Sequence, residues 1–248
     1  MIYNDERLDE VNDSLSLIQK PDGLTFGTDA LLLAGYVVGK YKNGAELGGG
    51  SGIISMLLLT RDKVDRITAY EVQEEYADLI RRNAEYNGLT DRLTPSLTDI
   101  RELTATEGCD VVFTNPPYMK SDSGSGNQKE KKNLARHEIC GGINDFCSAA
   151  KRALKYGGAF YAVYRPDRLA DIIDAMRKNQ LEPKRMTFVH ADAASESSMV
   201  LIEAKRGAKS GMMLTRPLIL YKDNTHKEYS EDMEYVMQNG SFPPAYKR

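Results

Sequence analysis

The sequence predicts an α/β fold in which a mostly parallel sheet of seven strands closes on an antiparallel pair. Residues 45–59 have the pattern of a strand, a glycine-rich loop and an apolar helix, the unit from which parallel sheets are built. Residues 110–114 are a short apolar run typical of a buried parallel strand, and two prolines end it. Residues 186–190 and 198–204 are joined by a short loop, so they must pair antiparallel.

The chain of 248 residues fits a single α/β domain with short extensions. Within residues 1–40, the segments 14–19 and 24–26 flank a turn, which predicts a small N-terminal β-hairpin, and an apolar helix follows. Residues 41–206 form the predicted core. Residues 207–248 contain a short apolar segment and a Tyr- and Glu-rich helix, and we expect a C-terminal appendage rather than a new domain.

The composition argues against a generally basic surface. The formal net charge is −3 and the isoelectric point is near 5.8, so any basic surface for nucleic acid must be local. The cysteines Cys109, Cys140 and Cys147 have neither metal-ligand spacing nor a disulfide pattern, and we expect reduced thiols and no metal. The first residues are polar and no apolar run approaches membrane length. We therefore expect a cytoplasmic protein without a membrane segment, and a monomer.

The segment Asn115-Pro116-Pro117-Tyr118 directly follows the predicted strand 110–114. The carboxyl end of a parallel strand is where open α/β sheets bind ligands. An exocyclic amino group on a planar base or an amide carries two N–H donors, which the Asn115 side-chain oxygen and the Pro116 carbonyl could accept. Tyr118 offers a ring on which the planar group can stack. The alternative is a plain Pro-Pro turn capped by an asparagine.

The glycine-rich loop contains Gly48, Gly50 and Gly52 between a strand and a helix. Glycines allow a tight turn and let a ligand lie against bare backbone, while the helix N-terminus supplies oriented N–H groups. A dinucleotide-binding fingerprint requires a third glycine at position 53 or 55, where the chain has Ile53 and Ser55. The loop therefore predicts a cofactor site of another kind.

Two acids end the neighbouring strands. Glu71 lies at the end of the strand 66–72 and can accept hydrogen bonds from both hydroxyls of a ribose, and Asp99 follows a Pro-interrupted edge strand. The alternative for Glu71 is a surface carboxylate at a strand end, and the alternative for Asp99 is a lone acid in a loop. Thr28 and Asp29 precede an apolar helix, so they either cap it or face the cofactor.

These motifs resemble those of class I S-adenosylmethionine-dependent N-methyltransferases. The tetrapeptide at 115–118 is similar to their target-amino motif, and residues 46–52 are similar to their first cofactor motif. The order of the motifs, together with residues 26–29 and 135–138, resembles one family in particular, the bacterial tRNA adenine-N6-methyltransferases that modify position 37 in the anticodon loop of a valine tRNA. The resemblance covers nearly the whole chain and implies a Rossmann-like fold.

The resemblance also implies the reactants and the site. The methyl donor would be S-adenosylmethionine, the products S-adenosylhomocysteine and N6-methyladenine. The catalytic residues would be Asn115, Pro116, Pro117 and Tyr118. The cofactor would be bound by Thr28, Asp29, Glu46, Gly48, Gly50, Gly52, Glu71, Val72, Asp99, Ile100 and Asn115.

Two basic segments are candidates for contact with tRNA. The polar, Gly- and Ser-rich segment from Lys120 to Arg136 carries a local charge of +3, which suits a phosphate backbone or an ordinary solvated linker. A second cluster, between Lys205 and Arg216, has no intervening acid. A helix is predicted from Arg136 through Ile143 to Leu154, and His137 in it is more often structural than catalytic.

Other acceptors remain open. A glutamine amide of a release factor presents the same kind of nitrogen, but those enzymes resemble one another in a separate N-terminal helical domain, for which few residues precede Glu46. An rRNA guanine-N2-methyltransferase is a further alternative, and it would call for an additional RNA-binding domain. A non-enzymatic RNA-binding module would not need the cofactor motifs.

Overall fold

A computed structural model describes residues 2–3, 5–20, 27–104, 108–117 and 141–247. Its strands are β1 Arg7–Asn12, β2 Leu15–Gln19, β3 Tyr41–Leu47, β4 Val64–Glu71, β5 Leu93–Leu97, β6 Cys109–Thr114, β7 Leu154–Tyr164, β8 Leu181–His190, β9 Ser197–Arg206, β10 Met213–Leu214 and β11 Leu218–Ile219. Its helices are α1 Thr28–Tyr36, α2 Ile53–Thr60, α3 Glu74–Tyr86, α4 Ile143–Ala153, α5 Leu169–Lys178 and α6 Glu231–Asn239.

The predicted sheet is confirmed. Seven strands lie in the order β5-β4-β3-β6-β7-β9-β8, and β9 is antiparallel to both β7 and β8 while the others are parallel. The short strands β10 and β11 add to β8, so that nine strands are joined in the described sheet. The carboxyl ends of β3, β4, β5, β6 and β7 therefore meet at one edge, which we call the ligand edge.

The sheet separates two apolar layers. The helices α1, α2 and α3 pack on one face, together with the C-terminal segment, and α4 and α5 pack on the other. The central strand β6 contributes Val111, Val112 and Phe113, each fully buried, because a parallel strand is covered on both faces. α2 is apolar almost throughout because it is covered on all sides, with seven of its residues buried.

An N-terminal antiparallel hairpin is confirmed, and its first strand was not predicted. β2 corresponds to the alternating segment, and its partner is β1, which precedes it. The other predicted strand, residues 24–26, lies outside the described residues. β1 escaped detection because it is an exposed strand without a clear apolar alternation. The turn between the strands is supported by a hydrogen bond from the Ser14 N–H to Asn12 Oδ1, at 2.9 Å.

Asn83 of α3 and Asn87, the C-cap residue of this helix, pair with β2 as a neighbouring strand would. Asn83 accepts from the Ile18 N–H at 2.7 Å and donates to the Ile18 carbonyl at 3.1 Å. Asn87 does the same for Ser16, at 3.0 and 2.8 Å. Asn83 also donates to the carbonyl of Ser51 in the glycine-rich loop, at 3.0 Å. The amide side chains thus satisfy the edge of β2 and connect the hairpin to the predicted cofactor loop.

The helix predicted from residue 136 to residue 154 is not continuous through residues 141 and 142. Gly141 has a φ of +85° and Gly142 is extended, so a helix cannot continue through them, and α4 starts at Ile143 with Gly142 as its N-cap. Residues 136–140, including His137, lie outside the described residues. α4 passes directly into β7 at Leu154, so residues 156–158 belong to the strand.

The C-terminal segment is anchored to the core by Arg185. This side chain is 1 % exposed, pairs with Glu203 at 2.9 Å, and donates to the carbonyls of Tyr246 and Tyr36 at 2.8 and 2.7 Å. Its guanidinium also lies over the Tyr36 ring, 3.8 Å from the ring centroid. One buried cation therefore links β8, β9, the end of α1 and the last described turn.

Candidate active site

Asn115 follows β6 at the ligand edge, between the ends of β3 and β7. The Thr114 hydroxyl donates to the Leu47 carbonyl at 2.8 Å and fixes the end of β6 against the end of β3. Pro116 is buried, and Asn115 and Pro117 are partly exposed. Tyr118, the predicted stacking residue, lies outside the described residues.

The amide of Asn115 is oriented by Asp29. Asn115 Nδ2 donates to Asp29 Oδ2 at 2.7 Å, across 86 residues of sequence. The other carboxylate oxygen of Asp29 accepts from the Ala30 N–H at 2.9 Å. The N-cap of α1 is Gly27, without a side-chain hydrogen bond. The cap that was predicted at Thr28 or Asp29 is therefore not formed by either residue.

The glycine-rich loop has the backbone that only glycine adopts easily. Gly48, Gly50 and Gly52 have φ values of +73°, +54° and +81°. A Cβ added at Gly49 would lie 2.8 Å from Ile80 Cδ1. The N–H groups of Gly48 and Gly49 donate to the Tyr70 carbonyl, at 2.9 and 3.0 Å, and so hold the loop against the end of β4.

Glu71 is a buried carboxylate held by backbone N–H groups. It accepts from Gly50 at 2.9 Å, from Val72 at 2.9 Å and from Gln73 at 3.0 Å. An ionised carboxylate has about four acceptor positions, so its capacity is not filled by these three bonds. A carboxylate fixed beside a bare glycine loop matches the donor pattern of a ribose diol, which is what a nucleoside cofactor presents.

Glu46 is near the end of β3, its side chain contacts α2, and it is 1 % exposed. It accepts from the N–H of Ser55 at 3.2 Å and from its hydroxyl, in a short contact. Burial raises the pKa of Glu46 to about 8, against the opposing effect of the Ser55 hydrogen bonds. These contacts position the start of α2, and the role in cofactor binding stays a prediction.

Replacing Glu46 by Gln is expected to remove a pH dependence of stability. A carboxyl whose pKa is about 8 when folded, against 4.5 in the reference state, binds more protons folded than unfolded between those values. The free energy of unfolding should therefore fall by about 1.4 kcal/mol per pH unit across that window in the wild type, and not in Glu46→Gln. Denaturant unfolding at pH 5 to 8 measures the free energy of unfolding of the wild type and of Glu46→Gln.

Glu102→Gln, at an exposed position, is the control and should keep the pH dependence of the wild type. If the free energy of unfolding changed with pH in the same way in the wild type and in Glu46→Gln, the expectation would be contradicted.

Asp99 and Ile100 follow β5 at the ligand edge. Asp99 receives two hydrogen bonds from the Arg101 guanidinium Nε, each 2.9 Å, and one from the Arg101 N–H at 2.8 Å. These hydrogen bonds hold the pKa of the Asp99 carboxyl below its usual value. Ile100 is buried, and Val72 is partly exposed.

A cavity of about 790 Å³ opens beside Asp29. Its walls come from the start of α1, the residues after β7 and the start of β9, and include Thr28, Asp29, Tyr164, Arg165, Asp167, Glu196, Ser197, Ser198 and Met199. Arg165 is held by Asp167 through hydrogen bonds of 2.8 and 2.6 Å. The residues at the end of β7 and the start of β9 were not among the predicted site residues. Strand direction could have indicated them, since an antiparallel β9 must begin at the edge where β7 ends.

The first residues of the second basic cluster, Lys205 and Arg206, lie away from this cavity. β9 runs antiparallel to β7, so Lys205 pairs with Ala159 and Arg206 with Leu181, at the edge opposite the ligand edge. Arg206 donates to the Leu154 carbonyl in a short contact, and Arg216 pairs with Asp232 at 2.8 Å. The sequence could not place this cluster because the side of the sheet depends on strand direction. The segment from Lys120 to Arg136 lies outside the described residues.

Comparison with known proteins decides the family. The family model of the methyltransferase small domain matches residues 21–179, which is more than half of the chain. The chain belongs to this family. It is a class I methyltransferase whose methyl donor is S-adenosylmethionine, and the sheet order and the glycine-rich loop agree with that membership.

Two curated relatives carry a more specific name. A tRNA1(Val) (adenine(37)-N6)-methyltransferase of Aeromonas hydrophila is 31% identical over 186 residues, covering 73% of this chain and 76% of that protein. A protein of the same name from Phocaeicola vulgatus is 29% identical over 180 residues, covering 72% and 76%.

Solved structures agree on the fold. A predicted O-methyltransferase of Agrobacterium tumefaciens superposes with a TM-score of 0.70 at 23% identity, over 87% of this chain and 98% of that one. The TYW2 protein of M. jannaschii, in complex with AdoMet, superposes with a TM-score of 0.56 at 14% identity, over 82% and 86%.

Within the described part of the chain, no helix is both long and apolar enough to cross a membrane. Among the same residues, no group of three His, Cys, Asp or Glu side chains is arranged to hold a metal ion.

Proposed function

We propose that this protein methylates the N6 amino group of an adenine in tRNA, at position 37 in the anticodon loop. The observation that carries the proposal is the oriented amide of Asn115, at the end of β6 and next to the glycine-rich loop. An amide whose nitrogen faces Asp29 presents its oxygen elsewhere, and an oxygen is what an amino group with two N–H donors requires. The names of the curated relatives support the tRNA acceptor.

The methyl donor would be held along the ends of β3 and β4. The bare backbone of Gly48 to Gly52 would face its amino-acid portion, and the fixed carboxylate of Glu71 would accept from its ribose hydroxyls. The adenine portion would lie near Asp99 and Ile100, after β5. Bound there, S-adenosylmethionine supplies an electrophilic methyl group.

The acceptor base would enter from the other side of Asn115, through the cavity beside Asp29. A cavity of about 790 Å³ is of the size that holds a nucleoside-sized ligand. The Asn115 oxygen and the Pro116 carbonyl would accept the two N–H groups of the adenine amine. These contacts orient the nitrogen lone pair and stabilise the positive charge that develops on the nitrogen. An adenine in a tRNA loop must leave its stack to reach this position.

Removal of the Glu71 carboxylate tests the cofactor half of this proposal. Glu71→Ala should weaken binding of S-adenosylmethionine by about 10- to 100-fold, because hydrogen bonds to a charged acceptor are lost together with the anchor of Gly50. Isothermal titration calorimetry with S-adenosylhomocysteine measures the affinity. Glu74→Ala, an exposed acid at the start of α3, is the matched control and should bind as the wild type does.

The acceptor is tested with labelled S-adenosylmethionine. Unmodified tRNA transcripts, rRNA and a release factor are offered separately, and labelled nucleosides are identified by mass spectrometry. We expect N6-methyladenine in a valine tRNA transcript, and no label when adenine 37 is replaced by guanine. Label in the release factor or as methylguanine in rRNA would refute the tRNA assignment while leaving the methyltransferase activity in place.

A further inference from the structure

The contact between Asp29 and Asn115 joins two segments that the sequence treats as separate motifs. Asp29 belongs to the first turn of α1 and Asn115 follows β6, and the Asn115 Nδ2 to Asp29 Oδ2 distance is 2.7 Å. A carboxylate has no hydrogen to donate, so only the nitrogen end of the amide can face it. The contact therefore determines which end of the Asn115 amide points toward Asp29.

The Asp29 carboxylate is itself held in place. Its Oδ1 accepts from the Ala30 N–H at 2.9 Å, and it lies at the N-terminal end of α1, where a negative charge is favoured. Gly27 leaves room for it, because a Cβ at that position would lie 2.8 Å from Asp29 Oδ1. Gly27 has an extended backbone with a φ of −123°, so the missing side chain, and not an unusual backbone, is what the site requires.

We infer that Asp29 is a positioning residue that acts through Asn115, a role that rests on the proposed function. The sequence predicts Asp29 either in the helix cap or at the cofactor, whereas its contact with Asn115 points to the acceptor side. The outer torsion of an asparagine side chain is broad and roughly two-fold, so an unrestrained amide can present either end. If the amide were reversed, its N–H groups would face the N–H groups of the adenine amine, and no hydrogen bond could form. The contact with Asp29 excludes that orientation.

Exchange of the two side chains tests this directly. Asn115→Asp places two carboxylates against each other and should lower kcat by about 1000-fold, whereas Asp29→Asn alone, which keeps an acceptor oxygen, should cost about 10-fold or less. In the double variant Asp29→Asn/Asn115→Asp the hydrogen bond re-forms with the donor on residue 29. The double variant should then regain at least about 10-fold in kcat over Asn115→Asp.

A second variant moves the carboxylate without deleting it. In Gly27→Ala the added methyl group meets Asp29 Oδ1, so the flexible carboxylate must shift while the extended backbone is tolerated. We expect kcat to fall by about 10-fold with an unchanged dissociation constant for S-adenosylmethionine. Asp171→Asn, in the first turn of α5, controls for the loss of an acid from a helix start and should leave kcat unchanged.

The outcomes separate this inference from the proposed function. Rescue by the double variant, with cofactor affinity unchanged throughout, supports the positioning role. Absence of rescue, or a weakened cofactor affinity at unchanged kcat in Asp29→Asn and Gly27→Ala, would overturn it.

The contact between Asp29 and Asn115 can also be tested without a methyl acceptor, by nuclear magnetic resonance. The side-chain amide of Asn115 gives a pair of 15N–1H signals, identified by their loss in Asn115→Ala. They should be protected from solvent exchange in the wild type and lose protection in Asp29→Ala. If the wild type methylates no tRNA, the proposed function fails. The positioning inference is then decided by this protection, and unchanged protection in Asp29→Ala would refute it.

Discussion

Replacing Asn115 by Ala is expected to lower kcat for methyl transfer by about 1000-fold, since one pre-placed polar partner of a charged transition state typically contributes 100- to 1000-fold. The variant removes both the acceptor oxygen and the partner of Asp29. The developing positive charge on the acceptor nitrogen would then lack its nearest dipole. The measurement is single-turnover transfer of label from S-adenosylmethionine to a tRNA transcript.

Cofactor binding should be retained in this variant. The predicted cofactor contacts with the ends of β3 and β4 come from Gly48 to Gly52 and from Glu71, whose conformation is fixed by hydrogen bonds that do not involve Asn115. Titration with S-adenosylhomocysteine should therefore give the same dissociation constant for the wild type and Asn115→Ala. A loss of cofactor affinity as large as the loss of kcat would mean that Asn115 serves the cofactor and not the acceptor.

Much of this site could be predicted because its parts follow buried strands. Three consecutive apolar residues, followed after Thr114 and Asn115 by two prolines, mark the end of β6. The local sequence therefore predicts that Asn115 lies at the ligand edge. The same holds for the glycine-rich loop between β3 and α2 and for Glu71 at the end of β4. Each depends on short-range pattern and on the rule that parallel strands share a carboxyl edge.

The contacts between these parts could not be predicted. The bond between Asp29 and Asn115 spans 86 residues, and those of Asn83 with Ile18 span 65. No local pattern specifies such pairs, because they arise from how α1 and α3 pack on the sheet. β1 was missed for a different reason, since an exposed strand does not need the apolar alternation that identifies buried ones.

Replacing Arg185 by Met is expected to lower the free energy of unfolding by about 3 to 5 kcal/mol, the range for removing one partner of a buried ion pair. The variant leaves Glu203 without its cation and removes the donors that serve the carbonyls of Tyr36 and Tyr246. For a chain of this size the melting temperature should fall by about 10 °C. Thermal and denaturant unfolding measure the change.

Arg216→Met is the matched control for Arg185→Met. Arg216 also pairs with an acid and lies over a tyrosine ring, that of Tyr246, but its side chain is 55% exposed. An exposed pair of this kind contributes at most about 1 kcal/mol, so the control should unfold close to the wild type. The double variant Arg185→Met/Glu203→Met replaces both charges of the pair and should recover part of the lost stability. Equal effects of Arg185→Met and Arg216→Met would show that burial of the Arg185 network does not govern how the C-terminal segment is held.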